Sequence, residues 1–282
     1  MDGFFLIDKE SKMTSHDVLL KLRRKLNVSK MGHTGTLDPL ASGLMVVCSG
    51  KATKLAYLFE KMDKTYQGIL VFGSHYDTYD TTGSVIETNP YQPEEPEIVQ
   101  GMKAFEKTYH QEPPMYSAIK QDGQKLYELA RKGLDVERKK REVTVYRFDP
   151  ISPLQQREIA FEAKVSKGTY IRSLVVDLAQ SLGALAAISQ LRRIEVGPYT
   201  VSNAKEVKDI MPNDIVPLST FFKDYPRIML NDYMIKLVRN GIYLDERQTQ
   251  IQSPFIVVDH DHLPVAYYEP IDSHRYQPML IF

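Results

Sequence analysis

Apolar and polar positions along the first 200 residues switch between a period near 3.6 and a period of 2. Val18, Leu19, Leu22 and Leu26 share one face of a helix. Thr14-Ser15-His16-Asp17 precedes them at capping-box spacing, with Asp in place of the commoner Glu. A short buried strand is predicted over residues 43–48, and a helix over Lys51 to Glu60. Tyr66 to Gly73 follows as a strand, because Ile69, Val71 and Phe72 favour extended structure. Pro96 suits the first turn of a helix that carries Val99, Met102 and Phe105. Gln124 to Lys132 reads as a short helix stopped by Gly133. Glu142 to Phe148 is a predicted strand. Ile159, Phe161, Ala163 and Val165 alternate with polar neighbours as a half-buried strand should. Ile171, Leu174, Val175, Leu178 and Leu182 return to helical spacing and end at Gly183. A further strand covers Ile188 to Val196.

Residues 73–96, rich in Gly, Asp, Thr and Pro, read as loops. After about Phe222 the texture changes. A helix from Asp232 to Asn240, closed by Gly241, leads into strand-like pieces at Phe255 to Val258, Val265 to Tyr268 and Met279 to Phe282. The expected division is therefore a large domain over 1–222 and a small, mostly β appendage over 223–282. Helices and strands mix without regular βαβ alternation, so the fold class is α+β, not a doubly wound sheet.

Composition narrows the class without naming a function. The chain has 282 residues, 43% hydrophobic and 26% charged, as expected of a soluble globular protein. No apolar run approaches the roughly 18 to 20 residues that cross a bilayer. The opening residues carry no basic segment followed by an apolar stretch, so no secretory leader is expected. The single cysteine, Cys48, excludes an internal disulfide; its apolar setting suggests a buried strand thiol, which fits a reducing cytoplasm. A formal net charge of +0, from 36 basic and 36 acidic side chains, argues against a uniformly basic nucleic-acid coat. The cations are nevertheless clustered, at Lys21 to Lys25, Arg131-Lys132, Arg138 to Arg141 and Arg192-Arg193. Each run alone is also what a solvated face looks like.

Gly32-His33-Thr34-Gly35-Thr36-Leu37-Asp38-Pro39-Leu40-Ala41-Ser42-Gly43 is the most unusual stretch. Its three glycines and a proline make it a shaped loop between a basic helix and a buried strand. Pro39 restricts Asp38 to an extended backbone, which would hold a catalytic carboxylate firmly. The plainer alternative is a turn in which Asp38 accepts backbone N–H bonds. Lys64-Thr65-Tyr66 opens a strand with a tyrosine able to present a flat face to a base. Arg172 falls in the first turn of a helix, where a cation opposes the dipole and is more often a phosphate or carboxylate partner.

These segments resemble the TruB family of tRNA pseudouridine-55 synthases, whose GHTGxLDPxAxG signature matches Gly32 to Gly43. The resemblance continues in Thr14 to Asp17, Lys64 to Tyr66, Asp77 to Gly83, Gln111 to Lys120, Ser166 to Arg172 and Leu191 to Arg193, in the family's order over roughly residues 3–200. It implies a pseudouridine synthase fold: a mixed, mainly antiparallel sheet flanked by helices, with a small C-terminal RNA-binding appendage. It implies an isomerase acting on the T-loop uridine at position 55 of tRNA, with base flipping and without cofactor or metal. Asp38, Tyr66 and Arg172 are then the catalytic group. His33 fills the vacated stack, the alternative being that it caps its own loop. Tyr170, Leu191 and Lys64 surround the nucleotide. Residues 115–142 resemble the family's insertion that clamps the T-arm, with Arg131, Lys132 and Arg138 to Arg141 as phosphate contacts. A cytoplasmic monomer that needs no protein partner is expected.

Two departures stand out. Asp8-Lys9-Glu10 replaces the family's Asp-Lys-Pro, and Tyr79 occupies a position where smaller residues are commoner. Both are expected to lie outside the chemical centre. His260-Asp261-His262 places two histidines two apart, as on one side of a strand, but no third metal ligand is evident. Asp77 and Asp80 read as parts of a turn. Two rival functions remain: a non-catalytic RNA-binding chaperone using the same basic surface, and a synthase of the same fold acting on ribosomal RNA within a complex. Retention of Asp38, Tyr66 and Arg172 disfavours the first; the continuous insertion and compact C-terminus disfavour the second.

Overall fold

The structure is a computed structural model that describes residues 1–121, 123–134 and 136–282. In chain order the elements are β1 (Gly3–Lys9), α1 (Ser15–Leu26), β2 (Met31–His33), β3 (Ser42–Ser49), α2 (Ala56–Glu60), β4 (Lys64–Phe72), β5 (Ser74–Tyr76), β6 (Val85–Thr88), α3 (Glu95–Ala104) and β7 (Thr108–Gln111). There follow β8 (Lys120–Gln121), β9 (Gln124–Lys125), α4 (Leu126–Arg131), β10 (Arg141–Pro150), β11 (Glu158–Val165), α5 (Ile171–Ser181), β12 (Ala186–Val196) and β13 (Tyr199–Thr200). The C-terminal part holds β14 (Val216–Pro217), α6 (Leu218–Phe221), β15 (Arg227–Met229), α7 (Asp232–Arg239), β16 (Leu244–Asp245), β17 (Phe255–Val258), β18 (Pro264–Pro270) and β19 (Arg275–Ile281).

The main sheet runs β14-β1-β3-β12-β4-β11-β10-β7, with β2 on β3 and β13 on β12. Only the β3–β12 pairing in it is parallel, so the sheet is mixed and mainly antiparallel, and the α+β expectation holds. Strand β1 was not anticipated. Its run Gly-Phe-Phe-Leu-Ile-Asp-Lys shows no alternation because both faces are covered. Phe5 and Ile7 face a core that also holds Val18 and Leu22 of α1, Ile98 and Met102 of α3, and Leu174 and Leu178 of α5. Phe4 and Leu6 face a second core with Phe59, Ile256, Val258, Tyr267 and Leu280.

That second core is where the C-terminal sheet, β15-β17-β18-β19-β16, packs against the main sheet. The opposite face of this small sheet buries Phe255, Tyr268 and Tyr276 against Ile235 and Val238 of α7. The appendage is thus a layer laid on the large sheet. Its attachment is also polar: Tyr57 of α2 and Tyr267 both donate to Glu269 Oε1, at 2.5 and 2.8 Å.

Local signals account for most element ends. Thr14 and Asp17 form the reciprocal capping box, and Asn27 ends α1 in the left-handed conformation. The predicted helix at 51–60 is a 3₁₀ turn over Gly50–Leu55 followed by α2. The predicted loops of 73–96 contain the β5–β6 hairpin, whose second strand is exposed throughout and so shows no apolar period. Helix α4 starts two residues later than expected, because Gln124 and Lys125 pair with β8. His260 to His262 form an exposed turn, not a strand, with His260 beside Asp232 and Asp261. No helix among the described residues is long and apolar enough to cross a membrane.

Candidate active site

The shaped loop from Gly32 to Gly43 is pinned at several points. Ser15 at the start of α1 accepts from Leu37 N–H (2.9 Å) and donates to the Leu37 carbonyl (3.1 Å). Thr34 N–H donates to the Val46 carbonyl at 3.1 Å, and Lys12 N–H to the Pro39 carbonyl at 2.7 Å. Gly43, at φ +99, allows β3 to run hard against β12; a Cβ there would collide with the Arg193 carbonyl oxygen. Ala41 N–H donates to the Asp38 carbonyl at 3.0 Å, so Asp38 begins a tight turn through Pro39 and Leu40. No backbone N–H among the described residues donates to the Asp38 side chain. Its carboxylate points into a cavity of about 270 Å³.

Arg172 meets it there. Arg172 is only 4% exposed, and one Nη lies 2.7 Å from Asp38 Oδ2. The other three contacts fix the guanidinium plane: Nη1 donates to the Thr78 carbonyl (2.7 Å), Nη2 to the Tyr116 carbonyl (2.9 Å), and Asp80 Oδ2 lies 3.7 Å from Nη1. Asp80 is itself held by the Thr78 and Thr82 hydroxyls and the Thr82 N–H. The helix that presents Arg172 is set by Gln111, a buried polar residue at the end of β7. Its side chain accepts from Tyr170 N–H (2.8 Å) and donates to the Tyr170 carbonyl (3.1 Å).

The carboxyl of Asp38 titrates above the usual carboxylate range. Burial is the largest cause, with the nearby Asp80 adding to it; Arg172 opposes both and Lys9 helps it. Solvent still reaches 35% of the Asp38 side chain, through the cavity mouth, while packed protein desolvates its other sides. The arrangement is a carboxylate facing a half-open cavity, tied to one buried cation. It can act as a nucleophile or stabilise positive charge at a ribose carbon.

Six of the seven expected site residues line this one cavity: Asp38, Lys64, Tyr66, Tyr170, Arg172 and Leu191. Tyr66 is half-buried on β4, Leu191 is 9% exposed on β12, and burial pushes the Tyr170 hydroxyl up. Lys64 differs in its use. Its ammonium donates to the carbonyls of Phe59, Glu60 and Met62 at 3.3, 2.7 and 2.5 Å, which engages all three protons at the end of α2. Burial, and Arg193 beside it, lower its pKa to about 8. His33 stands apart on β2 and does not line the cavity. Among the described residues its half-buried ring makes no loop cap and Nδ1 is buried without a partner; burial lowers its pKa.

Neither departing side chain lines the cavity, since Glu10 is exposed and Tyr79 lines a separate one, but each has neighbours that touch the site. Lys9 is fully buried, donates to the Glu10 and Met13 carbonyls at 2.9 and 2.7 Å, and feels the Asp38 charge; burial takes its pKa down to about 8. Tyr79 lies between Thr78 and Asp80, the two residues that fix Arg172. Arg193, read from sequence as part of a basic run, is 3% exposed and donates to the Leu44 and Gly35 carbonyls at 2.7 and 3.2 Å. Arg192 pairs with Asp8. Lys9 and Asp80 were legible only as members of motifs; charge patterning alone does not tell a buried ion from a solvated one. Among the described residues no group of three or more His, Cys, Asp or Glu is placed to hold a metal ion.

Residues 23–171 match the family described as "TruB family pseudouridylate synthase (N terminal domain)". A protein of onion yellows phytoplasma, "tRNA pseudouridine synthase B", is 47% identical over 283 residues, covering 100% of both chains. One of the same name from Acholeplasma laidlawii is 44% identical over 282 residues, again covering 100% of both. Among solved structures, a chain of "Crystal Structure of a Cbf5-Nop10-Gar1 Complex" superposes with a TM-score of 0.73 at 23% identity, over 99% of this chain and 84% of that one. A chain of "Structure of H/ACA RNP bound to a substrate RNA containing 2'-deoxyuridine" gives 0.70 at 21%, over 99% and 83%. These likenesses establish the fold.

Proposed function

The chain belongs to the TruB family of pseudouridylate synthases, and from that premise we propose that it converts the T-loop uridine at position 55 of tRNA to pseudouridine. The observation that carries the chemistry is the Asp38 carboxylate 2.7 Å from a nearly buried Arg172 at the floor of a nucleotide-sized cavity. The reaction breaks N1–C1′ and forms C5–C1′; the proton lost from C5 is balanced by one gained at N1. Nothing is oxidised and no group is added, so the chemistry calls for no cofactor or metal.

In this reading Asp38 is the covalent or charge-stabilising carboxylate, and Arg172 keeps it ionised against desolvation. Tyr66 stacks on the uracil and relays a proton, and Tyr170 and Leu191 pack around the flipped nucleotide. His33, outside the cavity, enters the gap left in the RNA stack. Lys64 acts by holding the end of α2 as one wall, not by touching substrate. Residues 115–142 and the appendage over 223–282 grip the T-arm by shape and phosphate contact; residues 122 and 135 of that insertion lie outside the described residues. A monomer working in the cytoplasm on tRNA, without an obligatory protein partner, completes the reading.

The experiment is conversion of unmodified transcribed tRNA by the purified protein, with no cofactor, mapped by chemical labelling and primer extension. One pseudouridine, at the T-loop uridine and absent when that base is cytidine, is expected. Tight binding with no conversion would leave an RNA chaperone as the better reading.

A further inference from the structure

Four cations line the cavity around Asp38: Lys64, Arg141, Arg172 and Arg193. Three are engaged by the protein itself. Lys64 and Arg193 bind backbone carbonyls, and Arg172 binds Asp38, Asp80 and two carbonyls. Arg141 is different. It is exposed at the first position of β10, and among the described residues its guanidinium has no ion pair or hydrogen bond. Its place is set by pairing with Gln111, the residue that clasps Tyr170. The sequence run that contains it is divided by the fold. Arg138 turns inward to Glu112 (2.7 Å) and the Pro113 carbonyl (3.1 Å), whereas Arg141 reaches the cavity.

A second observation concerns the same cavity. Ser117, at the other root of the insertion, is 4% exposed and lines the cavity, with its hydroxyl beside that of Tyr170. The two roots of the insertion therefore bring one unengaged cation, Arg141, and the paired hydroxyls of Ser117 and Tyr170 to the same wall of the cavity.

We propose that Arg141 receives the backbone phosphate adjoining the target uridine, and so selects for a nucleotide that is extruded with its strand intact. This deepens the reading of the cavity as a nucleotide pocket and rests on it. Arginine suits the task because its planar fork meets two phosphate oxygens at once and its charge is permanent.

The test is a cycle between protein and RNA. Parent and Arg141→Gln are each given T-arm stem-loops with natural phosphates, or with one neutral methylphosphonate on either side of the target uridine in turn. Equilibrium binding and initial rates are both measured. With natural RNA, Arg141→Gln is expected to weaken binding and raise KM about tenfold, to reduce the salt slope by about one, and to leave kcat within about twofold. One of the two methylphosphonates should cost the parent about as much and cost the variant nothing further. Additive losses at both positions, or a loss confined to kcat, would overturn the proposal. Binding decides it even if the parent converts neither RNA, an outcome that would count against the synthase reading instead. Arg141 is exposed, so the variant should keep the parent's melting temperature; Arg141→Lys should recover part of the affinity, since it keeps the charge and loses the fork.

Discussion

Around Asp38, Arg172 and Arg193 are 4% and 3% exposed and each is bound by fixed oxygens of the fold. In the insertion, Arg131, Lys132, Lys139 and Lys140 stand exposed. The two regions use the same residue types for different ends. A buried cation must be fully satisfied, so it dictates the position of every group that touches it. An exposed cation keeps its hydration until a polyanion displaces counterions, and its exact position matters little. A chain of zero net charge can still present a local cluster of exposed cations, as it does at Arg131, Lys132, Lys139 and Lys140.

The comparison can be broken in several places. The largest effect is expected for Arg172→Gln, which should lower kcat by about 10²–10³-fold. Arg172 holds the Asp38 pKa down, so its loss should push that pKa further up and move the acid limb of the pH–rate profile to higher pH. An unmoved limb would show that the pair does not tune the carboxylate. Arg193→Met comes next. It leaves the Leu44 and Gly35 carbonyls unpaired beneath the loop, and should cost about 1–3 kcal/mol in denaturant unfolding as well as activity. Stability equal to the parent's would place Arg193 with the solvated cations.

Smaller and purely ionic effects are expected in the insertion. Arg131→Gln with Lys132→Gln should raise KM a few-fold at moderate salt and flatten the salt slope by about 0.7–0.9 per charge, with kcat unchanged. A fall in kcat would mean that these side chains shape the cavity after all. The smallest effect concerns Cys48, whose thiol burial pushes up to about 12. It should resist a disulfide reagent in the native protein at pH 8 and react once unfolded.

Helix α1 and strand β11 were legible because a capping box and a clean alternation are local signals. Strand β1 was not, since burial on both faces removes the alternation that marks a strand. The β5–β6 hairpin was missed for the opposite reason, full exposure of β6. At the site, Asp38 and Arg172 could be singled out by backbone constraint and by a cation misplaced at a helix start. Their pairing across 134 positions of sequence came from resemblance, not from any local rule. Lys9, Gln111 and Asp80 carry no such anomaly; only the tertiary fold shows that each supports the floor of the cavity.

The most direct test of Asp38 as the reacting carboxylate is Asp38→Asn under single-turnover conditions with enzyme in excess over tRNA. Pseudouridine formation and the dissociation constant are followed on the same sample. The expected result is a loss of at least about 10⁴-fold in rate with binding within about threefold of the parent. Conversion within tenfold of the parent, or a loss of binding that accounts for the lost rate, would contradict that assignment.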